Sequence, residues 1–199
     1  MRKILVFLSN GVEILELAPF IDVFGWNSVI GGKKNLIEVE TFSLRESINC
    51  TWTLQIKPQI IISNEEEIDI DQYEALVIPG GFGMGGFFVD GKNLKIQNII
   101  KKFIEKKKIV IGICTGAILL GEAGVLKNKK ATTYFLDNER YFKQLKNFEA
   151  LPVKERIVRD ENIFTTANPE SALEMAFILL KILTDEKNMN LIRLNMGYN

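Results

Sequence analysis

Ile109-Val110-Ile111-Gly112-Ile113-Cys114-Thr115-Gly116-Ala117 decides the fold. The run 109–113 carries no polar side chain, which predicts a strand buried on both faces. Such strands belong to parallel sheets covered by helices. The run ends in a glycine-x-cysteine-x-glycine frame, Gly112 to Gly116, and residues 117–123 have helical character, closed by Gly124. A nucleophile on a sharp strand-to-helix turn has this pattern, here with cysteine in the place serine usually takes. The glycines permit the turn. The helix N-terminus then directs N–H groups and a positive dipole end at the sulfur. Both favour thiolate, so this frame predicts a lowered pKa for Cys114. A buried cysteine in a tight turn is the plainer alternative. Cys50 has no such frame and reads as a strand cysteine.

Working outward, short apolar runs alternate with helical patterns, the signature of an α/β fold with a mostly parallel sheet and helices on both faces. Strands are expected at 3–8, 37–42 and 75–78. A helix carrying Phe20, Val23 and Phe24 on one stripe runs to about residue 28, where Gly31-Gly32 follows. Residues 46–62 alternate and predict an antiparallel hairpin or edge excursion. Glu65-Glu66-Glu67 with Asp69 and Asp71 reads as a solvated connector. Helices are expected at 94–106 and 141–145, and strands at 156–158 and 163–165. Asn168 and Pro169 predict an N-cap and a first helical residue for a helix bearing Leu173, Ala176, Phe177, Leu180 and Leu183. A last helix covers 186–196. No repeat, low-complexity tract or linker interrupts the chain, so 1–199 is expected to be one domain.

Composition narrows the function. Lys+Arg and Asp+Glu both total 25 among 199 residues, so the chain lacks the basic footprint of a nucleic-acid or membrane-surface binder. Histidine is absent, which removes Ser-His-Asp and Cys-His catalysis and His-liganded metals. Two cysteines make neither a disulfide framework nor a Cys₄ zinc site. No metal and no cofactor is therefore expected. The apolar start of the chain is too short for a signal-peptide core and reads as a first strand, so a cytoplasmic protein is expected.

Further stretches join the elbow at the C-terminal edge of the sheet. Glu16 stands just before Pro19 at the start of the first helix, flanked by Leu15 and Leu17. An acid in those surroundings, beside a thiolate, has its pKa raised and can donate a proton. Glu13 is the competing position. Gly80-Gly81-Phe82-Gly83-Met84-Gly85-Gly86 contains a formal dinucleotide fingerprint, but residues 87–92 separate it from the next helix. Its Pro79-Gly80-Gly81 start suits a different role, in which the backbone N–H groups of Gly80 and Gly81, with that of Thr115, hold a developing negative charge. Tyr134, after Ala131-Thr132-Thr133, and Thr166, within Thr165-Thr166-Ala167-Asn168, are candidate substrate-pocket residues, though packing and capping account for them equally. Trp26 and Trp52 read as core or interface aromatics.

At these residues the chain resembles the ThiJ/PfpI family of the class I glutamine-amidotransferase-like superfamily. The resemblance runs through Glu16-Leu17, Ile78-Pro79-Gly80-Gly81, Cys114-Thr115-Gly116, Ala131-Thr132-Thr133 and Val158-Arg159-Asp160. It is closest to the isocyanide hydratase branch, which has Cys-Thr-Gly at the elbow. The resemblance implies a flavodoxin-like three-layer sandwich, usually a homodimer. It also implies a Cys114 nucleophile, a Glu16 acid and Thr115 as a neighbour bonding the site, acting on a small-molecule substrate. Two departures bear on the substrate. Tyr134 and Phe135 stand where histidine and tryptophan often do, and Glu16 is one methylene longer than the hydratase's aspartate. A glyoxalase- or deglycase-type activity and a non-enzymatic cysteine redox sensor are the alternatives.

Overall fold

Side chains on a strand alternate between its two faces, so a strand covered on both sides must be apolar throughout. The first strand meets this condition: Ile4 and Val6 enter one core cluster, Leu5 and Phe7 the other. A computed structural model describes residues 2–136 and 138–198. In chain order the elements are β1 (Arg2–Phe7), α1 (Ile14–Ile30), β2 (Ile37–Ser43), β3 (Ile48–Asn49), β4 (Gln55–Ile56), β5 (Ile60–Ile61) and β6 (Tyr73–Ile78). There follow α2 (Phe87–Gly91), α3 (Leu94–Glu105), β7 (Ile109–Ile113), α4 (Gly116–Glu122), β8 (Lys130–Ala131) and α5 (Arg140–Gln144). The chain closes with β9 (Leu151–Pro152), β10 (Ile157–Asp160), β11 (Ile163–Thr166), α6 (Ser171–Leu183) and α7 (Glu186–Asn195).

Seven strands form the central sheet in the order β10-β11-β7-β6-β1-β2-β5. Every neighbouring pair is parallel except β10 with β11, which make an antiparallel hairpin at one edge. One core lies between the sheet and α1, α6 and α7, with Phe20, Phe24, Met175 and Leu180 buried in it. The other lies beneath α2, α3 and α4, with Phe87, Ile96, Ile100 and Leu119. This is the mostly parallel, doubly covered sheet that the alternating pattern predicts. The 46–62 stretch divides. β3 and β4 pair as a small antiparallel hairpin, while β5 joins the main sheet beside β2. The acidic connector holds two short 3₁₀ turns, capped by Asn64 and Asp69. Among the described residues, no helix is long and apolar enough to cross a membrane.

Two expectations about particular residues need correction. Asn168 is not an N-cap: α6 begins at Ser171, and the Asn168 carbonyl accepts the Ser171 N–H while its side-chain oxygen is buried without a partner. Pro169 likewise lies in the turn before the helix. For the tryptophans, read as core or interface aromatics, exposures of 39% at Trp26 and 72% at Trp52 exclude the core half of that reading alone.

The sheet's C-terminal edge gathers the strand-to-helix turns, and glycine is essential at one of them. A Cβ on Gly116 would run into the backbone carbonyl of Ile78 on the neighbouring strand. That atom cannot swing aside as a side chain can. Gly116→Ala is expected to lower the unfolding free energy by about 2–3 kcal/mol, read from urea denaturation midpoints. An unchanged midpoint would mean that the two strands separate freely.

Candidate functional site

Cys114 terminates β7 in the left-handed region, with φ of +50°. A non-glycine residue there stores strain, and here the surroundings hold it in place. The Cys114 N–H donates to the Thr166 carbonyl at 2.8 Å, and the Thr133 hydroxyl donates to the Cys114 carbonyl at 2.7 Å. The Thr115 N–H points at the sulfur and favours the thiolate. The turn therefore lifts the side chain off the sheet edge at the start of α4, as its sequence frame predicts.

The Glu16 carboxyl lies beside the Cys114 sulfur, close enough for each to shift the other's pKa. Glu16 lies in the first turn of α1 and is 1% exposed. Its Oε2 also accepts the Gly80 N–H at 2.5 Å. Of the two glutamates, Glu16 is the one beside the sulfur. Glu13 precedes the helix and accepts the Leu15 N–H as its cap.

Burial raises the Glu16 pKa from its ordinary 4.5 to about 8, against the Gly80 N–H bond and the neighbouring Cys114 thiol and with help from the nearby Glu13 charge. The acid is thus held protonated at neutral pH, as its apolar setting predicts. For the thiol the expectation fails. Burial, then the Glu16 carboxylate, push Cys114 well above the ordinary thiol value, outweighing the Thr115 N–H. The frame's amides are real, but a 7% exposed sulfur loses more hydration than one amide restores.

The glycine strap also departs from expectation. Gly80 spends its N–H on Glu16, and Gly81 donates its own to the Thr115 hydroxyl at 2.8 Å. The Thr115 hydroxyl in turn donates to the Gly81 carbonyl at 2.9 Å. Phe82 N–H bonds the Gly11 carbonyl, and Glu13 N–H bonds that of Gly80. Neither Gly80 nor Gly81 therefore offers an N–H to a substrate. Their role is to lock the loop against the elbow and against the segment leading into α1. Thr115 is the hub of that lock, and its N–H already faces the sulfur.

A cavity of about 530 Å³ opens onto the pair, within the range of small-molecule sites. Glu16, Cys114 and Thr115 line it with Glu13, Tyr134 and Pro169, and Gly81, Phe82, Arg140 and Tyr141 complete the wall. Tyr134 is where the sequence reading puts it. Thr166 is not: it is fully buried, its carbonyl holds the Cys114 N–H, and it does not line the cavity. The sequence reading gives neither Arg140 nor Tyr141 a place in the site. They sit on the short α5, whose five residues carry no chemical motif. Phe82 falls inside the glycine stretch, where the glycines drew attention to the backbone. Among the described residues, no three His, Cys, Asp or Glu group together to hold a metal ion.

Comparison with known proteins agrees with this architecture. The model of the DJ-1/PfpI family matches residues 2–182. An isonitrile hydratase of Pseudomonas putida is 31% identical over 145 residues, 73% of this chain and 58% of that protein. The chain thus spans little more than half the length of that relative. The dj-1beta protein of Drosophila melanogaster is 23% identical over 190 residues, 94% of this chain and 92% of the other. The crystal structure of Drosophila DJ-1beta superposes with a TM-score of 0.82 at 21% identity, over 100% of this chain and 98% of that one, a likeness of fold.

Proposed function

Because the chain belongs to the DJ-1/PfpI family, we propose that it is a cysteine-dependent enzyme acting on a small electrophile, most simply an isocyanide hydratase. The observation that carries this reading is the Cys114 thiol beside a raised-pKa Glu16 carboxyl, both lining one open cavity. The sequence likeness to an isonitrile hydratase supports the substrate class.

The reactive form of the pair has lost one proton, and within it the Cys114 thiol passes its own proton to the Glu16 carboxylate, leaving thiolate beside acid. The thiolate attacks the terminal carbon of R–N≡C, forming a carbon–sulfur bond. Glu16 gives its proton to that carbon, leaving a thioimidate, R–N=CH–S–Cys114, and a carboxylate. The carboxylate then takes a proton from water as the oxygen adds to the thioimidate carbon, and returns it to nitrogen. Collapse of the tetrahedral adduct breaks the carbon–sulfur bond. The adduct's hydroxyl proton goes back to Glu16, releasing R–NH–CHO and restoring thiolate and acid. The net reaction adds one water. The Thr115 N–H faces the sulfur and steadies its charge at departure. The test is formation of the N-formyl product by the wild type, with Cys114→Ala and Glu16→Gln as controls.

We further infer that the chain pairs as a homodimer. The support is apolar surface left uncovered, with Val29 82% and Trp52 72% exposed. Light scattering at micromolar protein is expected to return twice the chain mass, and a monomer mass would refute pairing.

A further inference from the structure

We propose that a second cavity beside the Cys114 cavity binds an uncharged aryl group carried by the electrophile. This rests on the reading that Cys114 adds to a small electrophile, and it names what that electrophile carries. The second cavity measures about 490 Å³ and shares Phe82, Arg140 and Tyr141 with the first as a common wall. A ligand whose reactive carbon is at Cys114 enters the second chamber where it extends past these three side chains.

The lining selects rings. Phe88 and Tyr141 have centroids 5.9 Å apart at an angle of 32°. Phe88 is braced edge-on by the buried Phe87 at 5.1 Å. Ile118 adds an apolar surface at the start of α4. Phe82 is 51% exposed and Met84 fully exposed, although both are large apolar side chains on one loop. Paired rings and an adaptable thioether suit a planar aromatic guest.

Charge does not compete for this role. Lys92 is the ammonium in the lining, and it is neutralised by Glu122 at 2.7 Å. The Arg140 guanidinium lies 4.5 Å from the Tyr141 ring centre and stiffens that ring's face. An anionic tail would have to displace the Lys92 pair or draw Arg140 away from the Tyr141 ring and hydroxyl, whereas a neutral ring need only cover apolar surface.

Alkylation of Cys114 tests this without any turnover. Thiolate displaces iodide from iodoacetamide or from its N-phenyl analogue, iodoacetanilide, and peptide mass spectrometry separates Cys114 from Cys50. Each rate constant is divided by that for glutathione to remove intrinsic reactivity. The wild type is expected to favour the phenyl reagent by about tenfold. Phe88→Ala, which lies outside the Cys114 cavity, is expected to bring the ratio near one while the iodoacetamide constant stays unchanged, which also reports an intact site, and Tyr141→Ala is likewise expected to bring the ratio near one. A ratio near one in the wild type, or a high ratio surviving both substitutions, would overturn the proposal. Phenyl preference without isocyanide hydration would sink the hydratase reading and leave the aryl site. Hydration with a ratio near one would do the reverse.

Discussion

Cys114→Ala is expected to lower kcat/KM for isocyanide hydration by about a thousandfold or more, the scale seen when a covalent nucleophile is removed. The loss comes from the chemistry, because the fold has little stake in the sulfur. The backbone bonds that hold the elbow belong to the Cys114 N–H and carbonyl, from Thr166 and Thr133, and alanine keeps both. Alanine also retains a Cβ, so the strain at φ of +50° is neither added nor relieved. A variant that melts with the wild type yet forms no product would locate the reaction at the sulfur. A variant retaining more than about a tenth of the activity would show that Cys114 is not the nucleophile.

Glu16→Gln is expected to reduce turnover by about a hundredfold to ten-thousandfold, the usual contribution of a positioned general acid. Glutamine keeps an oxygen for the Gly80 N–H, so the strap stays closed. What it lacks is a transferable proton. The same variant carries a signature in stability. Glu16 is raised from 4.5 to about 8 in the fold. A raised acid binds its proton more tightly folded than unfolded, so its contribution is full below about pH 4.5 and is lost as pH rises towards about 8. The loss amounts to at most about 1.4 kcal/mol per pH unit across that window. Urea unfolding at several pH values is therefore expected to show Glu16→Gln gaining on the wild type by a few kcal/mol between those limits. A constant difference would mean that Glu16 titrates normally. Activity of the wild type should rise through about pH 8 as the pair sheds its first proton.

How far the sequence reaches is best judged residue by residue. Strand β7 and its elbow are legible because burial on both faces forbids polar side chains and the turn demands glycine at Gly116. Glu16 and Tyr134 are legible because short connections bring strand and helix ends to one sheet edge. Three features are not. The thiol's raised pKa depends on how deeply Cys114 sinks, with 7% exposure, which no spacing encodes. The engagement of the Gly80 and Gly81 N–H groups depends on where the Glu16 carboxyl and Thr115 hydroxyl turn. Arg140 and Tyr141 reach the cavity through the path of an irregular connection, where Asn138 and Glu139 both take positive φ. Each is a matter of side-chain direction and loop path, beyond the reach of periodicity.

The central claim, that Cys114 and Glu16 act together on an electrophilic carbon, is tested most directly by mass spectrometry during turnover. The wild type mixed with phenyl isocyanide is expected to give N-phenylformamide and, when quenched during turnover, a covalent adduct on the Cys114 peptide, while Glu16→Gln, without the proton that both forms and hydrolyses the adduct, is expected to give little of either. Cys114→Ala is expected to give neither product nor adduct. Absence of both product and adduct in the wild type, with Cys114 free and unmodified, would contradict the account.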